Sequence, residues 1–316
     1  MTSYRDAGVD LEAADAVVDS IGPAVTATWH DGVVGGFGGF AAGITIPPGY
    51  TNPVLMMSTD GVGTKAELAR RSGIVAGLGW DLVAMCIDDL AAAGARPIAM
   101  TDYLAVGRID VQRVDAIVAS IAAACVEADV ALLGGETAEH PGVMEPDAFD
   151  LAGAALGLVE QGEEITGAGI TDGDVVVGID SPNLRANGFS LVRTAMAGRV
   201  ELDDELPGTG RRAAEVLLEP SVLYAPAIAA LISEVPVRGL AHVTGGGLPG
   251  NLARILPPGC DAVIDTSTWS PAPVFAAVRE LTGADDAELF RAFNMGIGFV
   301  AVVPPGDADA AVTALT

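Results

Sequence analysis

Lys65 is the only lysine among the sixteen lysines and arginines of this chain, and it closes the segment Ser58-Thr59-Asp60-Gly61-Val62-Gly63-Thr64-Lys65. A compact ammonium on a flexible stem fits a tight phosphate pocket that a broad, planar guanidinium would overfill. Glycines let backbone amides approach an anion, and a carboxylate delivered by a strand end can hold magnesium. The segment therefore reads as a nucleotide site: Asp60 and Lys65 carry the chemistry, and Gly61, Gly63 and Thr64 approach phosphate. It is no Walker A loop, because its glycines are too close together and threonine precedes the lysine instead of following it.

Four further constellations could join this site. Asp88 and Asp89 interrupt the apolar run Leu82-Val83-Ala84-Met85-Cys86-Ile87. Buried acids need a cation or donors, and successive helical residues point about 100° apart, so one of the two faces a site and the other meets solvent. A plain solvated acidic pair is the alternative. Gly134-Gly135-Glu136-Thr137 follows a short apolar strand; Glu136 is a second magnesium candidate beside Asp60 and Asp89, and Thr137 can donate to phosphate. In the second half, His242-Val243-Thr244-Gly245-Gly246-Gly247 runs from a strand through a glycine turn into a helix start, an arrangement that binds a monophosphate. Asn187-Gly188 precedes another helix, where Asn187 can meet a substrate amide or simply cap the helix. His140 is read as an incidental loop histidine.

The composition narrows the partners. A formal charge of -26 with an isoelectric point near 4.1 argues against nucleic acid and anionic lipid, both polyanions. Acid excess with almost no lysine suggests a salt-rich cytoplasm, since molar salt shortens the screening length to roughly 3 Å and relieves self-repulsion. No apolar run reaches the roughly 20 residues that span a bilayer, and no leader pattern opens the chain, so a cytoplasmic protein is expected. Cys86, Cys125 and Cys260 each sit in an apolar pattern and read as reduced thiols, with no zinc site.

These residues need a scaffold of alternating elements, an α/β (α+β) chain in two domains, 1–166 and 167–316. Asp10 caps a first helix reaching about Ile21, with an apolar stripe at Leu11, Ala14, Val17, Val18 and Ile21. Strands are expected at 44–46, 54–59, 97–105, 130–133 and 151–160, with helices at 75–93 and 111–128. The second half predicts strands at 175–180, 237–243, 260–265 and 297–303. Its helices fall near 188–197, 211–218, 222–233, 249–255 and 272–293. No disordered linker separates the halves, so they should share an interface.

Taken in order, the motifs resemble one family, aminoimidazole ribonucleotide synthetase, also called phosphoribosylformylglycinamidine cyclo-ligase. Its carriers are Tyr4-Arg5-Asp6-Ala7-Gly8-Val9-Asp10, Gly35-Gly36-Phe37-Gly38-Gly39-Phe40, Thr59 to Lys65, Asp81 to Cys86, Gly134 to Glu139, Asn187 to Arg193 and His242 to Gly247. The resemblance implies ATP and magnesium as cofactors. The γ-phosphoryl group would activate the formyl oxygen of formylglycinamidine ribonucleotide, and an amidine nitrogen would then close the imidazole ring. It also implies that Gly38 and Gly39 approach nucleotide, that Asn187, Gly188, His242 and Thr244 meet substrate, and that ribose phosphate sits on Gly245, Gly246 and Gly247. A homodimer whose N-terminal halves form a β-barrel is implied as well.

Three departures stand against the family pattern. Arg185-Ala186 replaces the usual His-Ser, Asp88-Asp89 replaces the usual Asn-Asp, and the common C-terminal extension is missing after Thr316. Rival readings are a thiamine monophosphate kinase, a hydrogenase-maturation dehydratase or a catalytically silent nucleotide-binding paralogue. Selenophosphate synthetase is disfavoured, because no cysteine lies between Gly32 and Gly43.

Overall fold

The computed structural model describes residues 8–316, so Tyr4 to Ala7 of the first motif lie outside the described residues. Helix α1 (Leu11–Thr26) is capped as expected, with Asp10 Oδ1 accepting from the Ala13 amide at 3.2 Å, and it runs past Ile21 with Pro23 inside it. Short strands β1 (Val33–Val34) and β2 (Gly43–Ile44) pair with each other. Strand β3 (Pro53–Gly61) leads through the Val62 turn into α2 (Lys65–Ser72), a helix that the sequence reading treated only as the end of a turn. Then come α3 (Leu78–Ala92), β4 (Arg96–Val106), α4 (Val111–Glu127), β5 (Ala131–Glu139) and β6 (Phe149–Glu160).

The first sheet has the order β3-β6-β4-β5, antiparallel except for the parallel β4–β5 pair. Its strands alternate between a face covered by helices and an open face. Leu55, Met57 and Tyr103 on the open face remain 59%, 74% and 41% exposed. At one end, Ile98 and Leu158 of that face are buried under Ile44 and Tyr50.

The second half contains β7 (Val175–Asp180), α5 (Phe189–Met196), α6 (Ala213–Leu217), α7 (Ala225–Glu234) and β8 (Gly239–His242). It continues with α8 (Gly247–Leu252), α9 (Pro273–Thr282), α10 (Asp286–Ala292), β9 (Ile297–Val303) and α11 (Ala308–Ala314). Its sheet, β7-β9-β8, is antiparallel. The strand expected at 260–265 is irregular backbone. Its alternating residues meet no neighbouring strand, and a strand exists only through its ladder.

Helix α3 is the hub. A helix that is apolar on nearly every face is buried all round, and most of α3 is, with Asp81 and Asp88 among its buried residues. It packs on β3, β4 and β6 of the first sheet, on α4, and on α7 and β8 of the second half. Gly79 permits the α3–α4 crossing, since a Cβ there would lie 2.2 Å from the Ile121 nitrogen. One continuous apolar core runs through α3 from the first sheet into the second half, so the halves do share an interface. Among the described residues, no helix is long and apolar enough to cross a membrane.

Candidate functional site

Four segments converge where the halves meet: the β3–α2 turn, the C-terminal part of α3, the loop before α5, and the β8–α8 turn. The first is pinned by Val62, which is fully buried, and by Gly63 at φ +57°. Thr64 Oγ1 then lies 3.1 Å from Ser190 Oγ on α5. Asn187 donates to Met85 Sδ at 3.7 Å, and its Oδ1 approaches Gly245. The glycine turn is held from inside by Asn251, whose Nδ2 donates to the carbonyls of Thr244, Gly245 and Gly247 at 3.3, 3.3 and 2.9 Å. Gly247 itself is dictated by packing, because at φ +61° a Cβ would collide with the Phe290 carbonyl.

Between the halves lies a cavity of about 350 Å³ lined by Ser58, Asp89, His242, Asn251 and Arg254. His242 Nδ1 is 2.9 Å from Asp89 Oδ1. Burial pushes the neighbouring Asp60 carboxyl up, the Asp89 charge adds to this, and the Gly61 amide and His242 oppose it. Asp60, Asp89 and His242 are therefore brought close together, with Asp89 and His242 in the cavity wall.

The acidic pair on α3 divides its work. Asp88 is fully buried; its Oδ2 meets Arg185 Nη2 at 2.5 Å, and its Oδ1 accepts from the Tyr224 and Ala225 amides at 2.9 Å each. Asp89, with its side chain 45% exposed, faces the cleft. One acid faces the site, as expected, but the other is locked to a cation of the second half instead of meeting solvent.

The geometry gives Lys65 a different job from the one its type suggested. The side chain is 1% exposed, and its ammonium reaches Asp81 Oδ1 at 2.9 Å and the carbonyls of Arg185 and Glu219 at 3.0 and 2.7 Å. Burial pulls the amine down from its ordinary value and pushes Asp81 up, while their mutual attraction opposes both. An ammonium has three donors, and all are committed within the protein.

Nor does one chain gather every acid expected on magnesium. Asp60 pairs with Gly153, Gly153 with Asp102, and Asp102 with Gly135. Glu136 is thus three strands from Asp60, roughly 14 Å at the usual spacing of about 4.8 Å. Glu136, Thr137, Gly38 and Gly39 instead line a separate pocket of about 290 Å³ under α1, together with Asp102. Among the described residues, no three His, Cys, Asp or Glu side chains are grouped to hold a metal ion.

Residues 39–159 match the family described as AIR synthase related protein, N-terminal domain, and residues 171–316 match its C-terminal domain. A curated phosphoribosylformylglycinamidine cyclo-ligase of Burkholderia ambifaria is 45% identical over 314 residues, covering 99% of this chain and 89% of that protein. The enzyme of the same name from Paraburkholderia phymatum is 45% identical over 309 residues, covering 98% and 87%. The chain belongs to the phosphoribosylformylglycinamidine cyclo-ligase family. The cyclo-ligase chain also shares its mixed α/β fold with thiamine-monophosphate kinase of Stenotrophomonas maltophilia, at 22% identity and a TM-score of 0.65 over 94% of this chain and 88% of that one. Hydrogenase maturation protein HypE in complex with ATP is similar in fold at 18% identity and a TM-score of 0.60, over 96% and 80%.

Sequence reasoning missed three residues of this site. Asn251 was given no task, although a polar residue four positions after a glycine helix start is a signal for such a staple. Arg254 lines the cleft, where its Nη1 donates to Asn251 Oδ1 at 3.4 Å. Arg185 was noted only as a departure, and nothing in its local sequence announces its partners, which lie 57 and 97 positions away.

Proposed function

We propose that this chain catalyses the ATP-dependent closure of formylglycinamidine ribonucleotide to aminoimidazole ribonucleotide. The formyl oxygen takes the γ-phosphoryl group and ADP leaves. The amidine nitrogen then attacks that carbon, phosphate departs with the former formyl oxygen, and loss of a proton completes the imidazole. Near-full-length identity to curated cyclo-ligases carries this reading, and the cleft between the halves supports it.

Phosphoryl transfer asks chiefly for positioning and charge neutralisation. Asp60 and Asp89 are the residues suited to magnesium, which would neutralise phosphate charge. Magnesium is commonly held by one or two carboxylates plus phosphate oxygens, and Asp60, pushed up chiefly by burial, also feels the Asp89 charge beside it. Gly61, Gly63 and Thr64 lie against the nucleotide phosphates through their backbone. Asn187 and Gly188 meet the substrate amidine, and Thr244, Gly245 and Gly246 take the ribose phosphate, with Arg254 as the cation at the cleft wall. His242 and Gly247 shape this subsite from below. Lys65 holds the site together without touching phosphate, and Glu136, Thr137, Gly38 and Gly39 stand apart from it.

The open face of the first sheet, with Leu55, Met57 and Tyr103 exposed, supports a homodimer in which N-terminal halves pair through that face, the arrangement a β-barrel across the dimer requires. The deciding assay is ADP release by the purified protein with and without formylglycinamidine ribonucleotide. Release that depends on this substrate, with aminoimidazole ribonucleotide formed in equal amount, is the expected result. ADP release indifferent to it, or none, overturns the reading.

A further inference from the structure

His242 ends β8 with its ring closed off from solvent, stacked on Phe299 at 5.9 Å between centroids and 19° between planes. Each ring nitrogen has one hydrogen-bond partner, and Asp88 Oδ2 lies farther off, 4.0 Å from Nε2. Nδ1 is 2.9 Å from Asp89 Oδ1, and Nε2 is 2.5 Å from Arg185 Nη1. A guanidinium only donates, so Nε2 must accept with its lone pair, and the ring proton must sit on Nδ1, aimed at the Asp89 carboxylate. The opposite tautomer would set one N–H against another, and a flipped ring would offer carbon atoms to both neighbours.

Arg185 is in turn held immobile. Its Nη2 bonds Asp88 Oδ2 at 2.5 Å and the Val222 carbonyl at 2.9 Å, and its Cζ lies 4.6 Å from the centroid of the Tyr224 ring. Asp88 is itself fastened by the Tyr224 and Ala225 amides. A chain of oriented groups thus runs from the start of α7 to the cleft: backbone amides, Asp88, Arg185, His242, Asp89.

We infer that Arg185 is a positioning residue that selects the Nδ1–H form of His242, which makes His242 a fixed donor orienting the Asp89 carboxylate and not a proton acceptor in ring closure. The inference rests on the reading of the cleft as the active site. One Asp89 oxygen is tied down, and the other is left for the cleft, in line with the general rule that a second partner sets the tautomer and direction of a working imidazole.

The test is long-range proton–nitrogen NMR of the uniformly labelled protein without ligand. The chain has three histidines, so a His242→Gln control identifies the ring signals. The expected spectrum shows Nδ1 protonated and Nε2 bare. Removing the buried pair together, as Asp88→Asn with Arg185→Met, should return the ring to the Nε2–H form and lower kcat/KM for ATP about tenfold or more. A wild-type ring in the Nε2–H form overturns the inference, and this spectrum decides the matter even where the double variant does not fold. A folded double variant that keeps both the Nδ1–H form and full activity overturns it equally. Absence of substrate-dependent ADP release from the wild type would overturn the proposed function while leaving the tautomer to be decided by the spectrum.

Discussion

Lys65 Nζ lies 2.7 Å from Asp81 Oδ2, with both side chains almost closed to solvent, and Asp81 Oδ1 also accepts from the amide and hydroxyl of Ser221 at 3.0 and 2.6 Å. The pair fastens the start of α2 to α3 and, through the Arg185 and Glu219 carbonyls, to the second half. Breaking a buried pair by removing one partner typically costs about 3 to 5 kcal/mol. Lys65→Met should lower the unfolding free energy by about that much in urea titration. Wild-type stability combined with lost ATP binding in this variant would return Lys65 to the phosphate.

The second buried pair, Arg185 with Asp88, explains two departures from the family pattern at once, since each residue neutralises the other. Arg185→Met alone strands a carboxylate and should destabilise by about 3 to 5 kcal/mol. Adding Asp88→Asn should recover most of this, because the Asn oxygen still accepts the Tyr224 and Ala225 amides. Additive losses in a double-mutant cycle would show that the two residues are not coupled.

Asp89 and Asp60 do not hold the fold together as these pairs do, so their loss should register in turnover. Asp89→Asn should reduce substrate-dependent ADP release about a hundredfold or more, the scale for removing a group that organises developing charge, and leave the unfolding midpoint nearly unchanged. An unaltered rate would remove Asp89 from the site.

Asp102 is nine-tenths buried beside Gly135, and burial pushes its carboxyl up to about 7 from 3.8. Between those values the folded state holds a proton that the unfolded state has lost, so stability falls as pH rises through this window. Asp102→Asn should therefore be neutral below about pH 4 and stabilising above about pH 7, by up to roughly 4 kcal/mol. Unfolding titrations across that range check it; an effect independent of pH would show that Asp102 ionises normally.

On the open sheet face, Leu55→Glu with Met57→Glu should convert a dimer into a folded monomer in light scattering, because two charges opposing their own copies are costly to bury. A dimer that survives this change pairs through some other surface.

What the chain's order of residues determined alone is local and cumulative. Asp10 caps α1 because a carboxylate at that position meets an orphan amide whatever surrounds it. An apolar run interrupted only by Asp88 and Asp89 called for a largely buried α3, and seven short motifs in fixed order sufficed for the family. The tertiary structure alone decided the use of charge. Lys65 was drawn to phosphate by type, but α3 set Asp81 beside it and the packing of the second half added the Arg185 and Glu219 carbonyls. Asp88 and Asp89 are equivalent in sequence, and only the direction of α3 against β8 and α7 made one a buried anchor and the other a cleft acid. Glu136 carries a motif like that of Asp60, yet strand order set them three ladders apart. The strand expected at 260–265 never formed because alternation is a local property and a ladder partner is not. Electrostatic neighbours across such separations are chosen by how helices and sheets pack, which no spacing along the chain records.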